Sequence, residues 1–302
     1  MFKFAGIVVV AGLFVVLCSC STDERAASPG KPVVAAAFYP IEEIIRSVDS
    51  DAFDIVTLVP PGQEAHEYEP SAQQVGDLQS AMTVFYLGSG FQPDVEKAIA
   101  ALPDSIGKVD LLKSLELLPI TDALQGTEGE TDGEVLASGE DPHVWLDPAK
   151  MITMTSVVAK ALDVDATGYI DELHKLDDAF RAGLANCRSH VIVTSHRAFE
   201  YLAHAYGLTQ IPIAGISANE EPSAKTLAAV AKAAKANDVS TIYFEQNLPD
   251  DLAKTVAEEV GAKTAVLDPL ESLSSDRLDA GATYISVMTE NLAELRSGLG
   301  CS

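Results

Sequence analysis

The sequence predicts an α/β protein of two βα lobes with parallel-type sheets, joined by a long linker helix. Three observations carry this. Short apolar runs alternate with segments of helical periodicity, the rhythm of βα units. The alternation breaks at an acidic stretch, residues 121–141, and restarts near residue 190. The tetrapeptide Glu-Pro-Ser-Ala occurs once in each half, at 69–72 and at 221–224, each time where a helix should open.

In the first half, residues 33–37 read as a buried strand and 41–48 as the helix behind it. A second strand, 55–59, is stopped by Pro60-Pro61-Gly62. Residues 71–81 read as a helix, with Ser71 and Gln74 at capping-box spacing. A strand at 84–87, a helix at 94–102 and a strand at 108–111 follow. Residues 121–141 hold seven acids and four glycines, and no Lys or Arg occurs between Lys113 and Lys150, so this stretch reads as a solvated surface loop. Asp147-Pro148 opens a helix, with Asp as cap and Pro in the first turn. A second helix, 166–186, carries Tyr169, Leu173, Leu176 and Phe180 at helical spacing and reads as the connector between halves.

The second half repeats the alternation. Strands are expected at 190–194, 210–214, 241–244 and 264–267. Helices are expected at 197–206, 223–236, 250–260 (ended by Gly261) and 278–295. The resulting organisation is a signal segment 1–19, a tether 20–31, an N-terminal lobe 32–148, a helical linker 149–187 and a C-terminal lobe 188–302.

The chain has 302 residues, with 20 Lys+Arg against 45 Asp+Glu and a formal net charge of −25. Such a surface repels polyphosphate, which excludes nucleic acid as a partner, and it does not adhere by charge to an anionic membrane. It is compatible with a cation. Lys3 precedes an apolar run of fourteen residues, 4–17, too short to span a bilayer but suited to a secretory signal. The run ends in Leu17-Cys18-Ser19-Cys20, which resembles a bacterial lipoprotein signal with Cys20 as the lipidated residue; Cys18 is an unusual neighbour for it. Removal of residues 1–19 takes away Lys3 alone among the charges, leaving 19 basic and 45 acidic residues and a net charge of −26. Two acyl chains or more would then be needed for anchoring. In an oxidising compartment Cys187 and Cys301 either pair or stay as free thiols, and no Cys-type zinc spacing exists.

The candidate chemistry sits at strand ends. His196 lies at the carboxyl end of the run HVIVT, one residue beyond it, and Asp268 directly follows TAVL. His66 lies in the loop beyond the second strand, and His143 follows the acidic stretch in DPHVWLDP. Ligands of open parallel sheets bind beyond the carboxyl ends of the strands. If the halves face each other, three imidazoles and one carboxylate can gather in the cleft as a tetrahedral set for a cation such as zinc. His174 reads as solvated, His190 begins a strand with no partner apparent, and His204 pairs with Glu200 four residues before it on a helix face. Glu245, at the strand end YFEQN, reads as a polar contact, with a supporting or hinge role as the alternative. Asp147 is accounted for as a helix cap.

The segments PGQEAHEYEPS (61–71), DPHVWLDP (141–148), SHRAFEYLAHAYGL (195–208), GISANEEPSAKTL (215–227), YFEQNLPDDLAKTVAEEVGAK (243–263) and VLDPLE (266–271) resemble the zinc/manganese solute-binding lipoproteins of ABC importers, known as the metal-binding cluster A-I family. The resemblance runs in the family's order over nearly the whole mature chain. It implies one metal held between two α/β lobes by His66, His143, His196 and Asp268. Manganese-preferring members carry Glu where His196 stands, so a third imidazole favours Zn2+, with Mn2+ as the alternative. The His-rich loop of many zinc members is absent, since the acidic stretch holds no His before His143. The implied partners are an ABC-type permease and its ATPase, with the membrane reached through a lipid anchor on its outer face, in a periplasm or on a cell surface. The implied form is a monomer, and the implied role is not enzymatic. With no GxxxxGK loop and no membrane-spanning bundle, the chain would carry the ion rather than pump it. Two other readings are a zinc-dependent hydrolase, for which no HExxH exists and only Glu67 beside His66 offers a base, and a surface adhesin with a structural metal.

Overall fold

Each half of the chain folds its four short apolar runs into one parallel sheet. In the first sheet, β1 (Val33–Ala36), β2 (Asp54–Thr57), β3 (Thr83–Tyr86) and β4 (Gly107–Asp110) lie in the order β2-β1-β3-β4. In the second, β5 (Val191–Thr194), β6 (Thr209–Pro212), β7 (Thr241–Phe244) and β8 (Lys263–Val266) lie in the order β6-β5-β7-β8. Counted from each half's first strand the two orders are the same, and every pairing is parallel. In both sheets the order reverses beside the first strand, which opens a crevice past the strand ends at that place. This computed structural model describes residues 30–120, 138–246 and 250–302. The signal segment 1–19, Cys20, the tether as far as residue 29, and residues 121–137 of the acidic stretch lie outside the described residues.

The helices are α1 (Tyr39–Asp49), α2 (Ala72–Leu78), α3 (Pro93–Ala100), α4 (Pro148–Leu162), α5 (Thr167–Leu184), α6 (Glu200–Tyr206), α7 (Ala224–Ala236), α8 (Asp251–Val260), α9 (Ser275–Asp279) and α10 (Tyr284–Leu299). The repeated tetrapeptide has a physical meaning: Ser71 and Ser223 are the N-caps of α2 and α7, their hydroxyls accepting from the N–H of Gln74 and Thr226. Asp147 caps α4, with Pro148 in its first turn.

Two expected helices differ. The C-terminal segment expected as one helix over 278–295 is two, α9 and α10. Gly281 turns the chain at a φ of +81°, and Thr283 then starts α10 with a capping box. The helix expected over 197–206 begins only at Glu200, because the residues after β5 bend to serve the site described below.

The long connector is α5, 18 residues and about 27 Å of helix. It is not a free rod. Leu173, Leu176 and Phe180 are buried in the main apolar core, together with Ile44 of α1, Met151 of α4, Tyr201 of α6 and Leu295 of α10. A second, smaller core lies between the second sheet and its covering helices, built from Val193, Ile211, Val230, Ile242 and Val256. The halves are also tied by polar contacts. Trp145 Nε1 donates to the carbonyl of Pro269 at 2.7 Å, and the Tyr284 hydroxyl donates to the carbonyl of Trp145 at 2.7 Å. The N–H of Tyr284, at the start of α10, donates to the buried Glu43 carboxylate of α1 at 3.1 Å. Cys187, just past α5, is disulfide-bonded to Cys301, just past α10.

Candidate metal centre between the lobes

His66 sits in the loop after β2. Glu64 turns this loop, its carboxylate accepting from the N–H of His66 at 2.8 Å and of Glu67 at 3.0 Å. Gln92, wholly buried at the start of α3, donates to the carbonyl of Ala65 at 3.0 Å. The ring of Phe91 meets the His66 ring edge to face, with centroids 4.7 Å apart. His143 is held from two residues upstream: Asp141 Oδ1 accepts from the His143 N–H at 2.9 Å and lies 2.8 Å from Nδ1. Asp141 is itself fixed, its carbonyl accepting from the Tyr201 hydroxyl of the other lobe at 2.8 Å.

His196 follows β5 at the reversal of strand order. Its carbonyl accepts from the Thr194 hydroxyl at 2.7 Å and from Gln210 Nε2 at 2.9 Å, and the next N–H, that of Arg197, donates to Gly215. These bonds hold the bend that delays α6. Glu245, at the end of neighbouring β7, accepts from the Ser195 hydroxyl and lies 2.5 Å from His196 Nδ1. A carboxylate on Nδ1 leaves Nε2 of both His143 and His196 free to face the cleft.

These Nε2 atoms converge with His66 Nε2 on a carboxylate, and that carboxylate is Glu271. Its Oε1 lies 3.1 Å from His196 Nε2 and 3.5 Å from the Nε2 atoms of both His66 and His143. His66 Nε2 and His143 Nε2 are 3.2 Å apart. One ligand atom from each of His66, His143, His196 and Glu271 lies within 4.8 Å of every other, and all four residues are buried. Asp268, expected in the fourth position, stands outside this group. Its Oδ1 accepts from the N–H of Leu270 at 2.8 Å, and Leu270 takes a φ of +56°, a turn that carries Glu271 inward. Asn291 clamps the backbone at Asp268 from both sides, accepting from its N–H at 2.9 Å and donating to its carbonyl at 2.7 Å. Glu271 is the member of this cluster that the sequence did not single out. The only signal for it was a second carboxylate three residues beyond the one at the strand end. Asp141 was missed as a partner of His143, whereas Glu245 had been noted for its strand-end position.

Burial alone pushes the His143 imidazole down, but Asp141 and Glu271 outweigh it and leave the group raised above its ordinary value. His196 behaves likewise: Glu245 and Glu271 overcome desolvation and hold it well above the ordinary value. Burial pushes the Glu271 carboxyl up, and the three imidazoles reverse this, leaving it well below. Asp268 is pushed up to about 6, chiefly by burial. The three other histidines, His174, His190 and His204, are exposed and stand apart from the cluster.

Two parallel-sheet lobes closing on one buried set of three nitrogens and a carboxylate oxygen form the architecture of a solute-binding protein. The chain belongs to the ZnuA family, described as zinc-uptake complex component A, periplasmic, which it matches over residues 34–298. It is 38% identical over 293 residues to the zinc-binding lipoprotein AdcA of Streptococcus pneumoniae, covering 93% of this chain and 58% of that protein's length. It is 33% identical over 322 residues to the high-affinity zinc uptake system protein ZnuA of Bacillus subtilis, covering 98% of each. The fold is similar to the Zn(II)-bound ZnuA-like domain of Streptococcus pneumoniae AdcA, with a TM-score of 0.74 and 35% identity over 89% of this chain and 99% of that one. The chain thus spans little more than half of the pneumococcal relative, the part that corresponds to its ZnuA-like domain.

Proposed function

We propose that this protein captures one Zn2+ outside the cytoplasmic membrane and delivers it to an ABC importer, a permease with its ATPase, while anchored through a lipid on Cys20. The ligands in this reading are His66, His143, His196 and Glu271, and the protein acts as a monomer. The observation that supports it is a spacing. Zinc–nitrogen and zinc–oxygen bonds of about 2.0–2.1 Å in a tetrahedron separate the donors by about 3.3 Å. Four of the donor separations here are 3.1, 3.2, 3.5 and 3.5 Å. Three imidazoles suit zinc better than manganese, which prefers oxygen donors. A carrier also fits better than a hydrolase, because four protein donors fill the tetrahedral shell that a catalytic zinc keeps open for water.

Calorimetric titration of metal-stripped protein tests this reading. One Zn2+ per chain is expected, with Mn2+ displaced in competition. His196→Ala should lower zinc affinity by two orders of magnitude or more, about 3 kcal/mol, with the fold retained by circular dichroism. Zinc binding unchanged in that variant would reject the assignment.

A further inference from the structure

Beside the four-donor cluster lies a small, partly open cavity of about 50 Å3 that reaches Glu271. Glu64, Glu245, Asp268 and Glu271 line it, and among the described residues no Lys or Arg does. Three of these carboxylates are engaged: Glu64 turns its own loop, Glu245 holds Ser195 and His196, and Glu271 faces the imidazoles. Asp268 is different. It is only 5% exposed and lines the cavity, Oδ1 takes the N–H of Leu270, and Oδ2 has no hydrogen-bond partner among the described residues. Arg277 attracts it at a distance; its two terminal nitrogens donate to Gln246 and Glu290, and its buried Nε has no hydrogen-bond partner among the described residues.

We propose that Asp268 is a transit ligand for the divalent cation: its Oδ2 replaces a water on the incoming hydrated ion at the cavity wall, and the ion then passes to Glu271 and the imidazoles. The ion leaves by the same contact. This rests on the reading that the cluster holds zinc. A cavity lined by one sign of charge concentrates counter-ions and raises association rates by ten- to a thousand-fold. An ion with an extensive hydration shell reaches a buried site most easily by exchanging waters for oxygen donors one at a time. Asp268 supplies such a donor three residues from Glu271, on a turn whose backbone Asn291 already fixes, so the hand-over needs no refolding of the loop.

The test is stopped-flow mixing of Zn2+ with the metal-stripped protein, read by Trp145, the only tryptophan, whose ring lies 5.2 Å from that of His143. Asp268→Asn keeps the Oδ1 acceptor for Leu270 and removes the charge. Association and chelator-driven dissociation should both slow by about tenfold, so that Kd moves by less than about threefold, and the association rate should lose part of its salt dependence. Glu271→Gln should instead raise Kd by about a hundredfold or more. Wild-type rates and salt dependence in Asp268→Asn would overturn the transit role. A rise in Kd as large as that of Glu271→Gln would overturn it too, by making Asp268 a ligand of the bound ion. Wild-type Kd in Glu271→Gln would instead reject the cluster as the zinc site, whatever Asp268→Asn did.

Discussion

Two of the three imidazoles are aimed by carboxylates, and the third is not. Asp141 backs His143 and Glu245 backs His196, whereas His66 is held by its backbone and by Phe91. A carboxylate behind an imidazole fixes its tautomer and makes it a better donor, and its loss costs about 10- to 100-fold in metal affinity. Glu245→Gln keeps an acceptor for Nδ1 and removes the charge, so zinc affinity should fall about tenfold in calorimetry; an unchanged Kd would show that Glu245 only packs. The same carboxylates set the pH response. In the metal-free protein they raise His143 and His196, so these rings keep protons above the ordinary imidazole value of about 6.5. Zinc must displace those protons, so affinity should fall as pH drops, beginning above pH 6.5. The imidazoles of the metal-free fold respond in the opposite sense, and Glu271 in the same sense. A raised imidazole contributes stability that is complete below about pH 6.5 and is lost as pH rises through its folded value. The lowered Glu271 contributes stability present above about pH 4.5 and lost as pH falls through its depressed value. Calorimetry in buffers of different ionisation enthalpy should therefore record net proton release on zinc binding near neutral pH, and a smaller release in Glu245→Gln.

At the scale of elements, what could be read in advance was what local chemistry decides. Short apolar runs between turn residues marked the eight strands to within a residue or two. Strands β1, β3 and β5 are mostly buried and need little else, whereas β2, β4 and β8 hold no buried residue and were marked by the turn residues around them. Ser71, Asp147 and Ser223 marked helix starts because a cap is a contact within four residues. His196 was legible as a site residue because it follows a strand. Glu271 was not, because its approach depends on the Leu270 turn, the Asn291 clamp and the Trp145 bond to Pro269, which are set by α10 and by the opposite lobe. The split of α9 from α10 rests instead on local signals, the positive φ of Gly281 and the capping box at Thr283. Cys187 and Cys301 were left open because pairing depends on where α5 and α10 end in space. Their bond spans 114 residues, worth about 4–5 kcal/mol in the chain-entropy model. Cys301→Ser should lower the melting temperature by about 10 °C and leave zinc affinity nearly unchanged, since the bond lies at the far ends of α5 and α10 and no site residue depends on it. A large loss of zinc affinity in that variant would tie the disulfide to the cleft instead.

At the scale of the molecule, the lobes are joined by a shared core rather than by the metal alone. Ile44, Met151, Leu173, Phe180, Tyr201 and Leu295 come from both halves and the connector, and all are buried in one apolar cluster. Trp145, Tyr284 and Glu43 add hydrogen bonds across the same junction. The four proposed donors are a small part of what the junction buries, so the proposed carrier is expected to stay folded without the ion, its three imidazoles and Glu271 carboxylate satisfying one another. A carrier needs this, because it must exist empty between deliveries; a protein whose metal is structural does not. The two readings therefore separate on melting. The stripped protein should unfold cooperatively and keep its helical circular dichroism, and zinc at about a thousand times its Kd should add about 4 kcal/mol, an upward shift on the order of 10 °C. Loss of any cooperative transition on stripping would mean that the ion holds the lobes together, and the case for a shuttle that releases its cargo would fail with it.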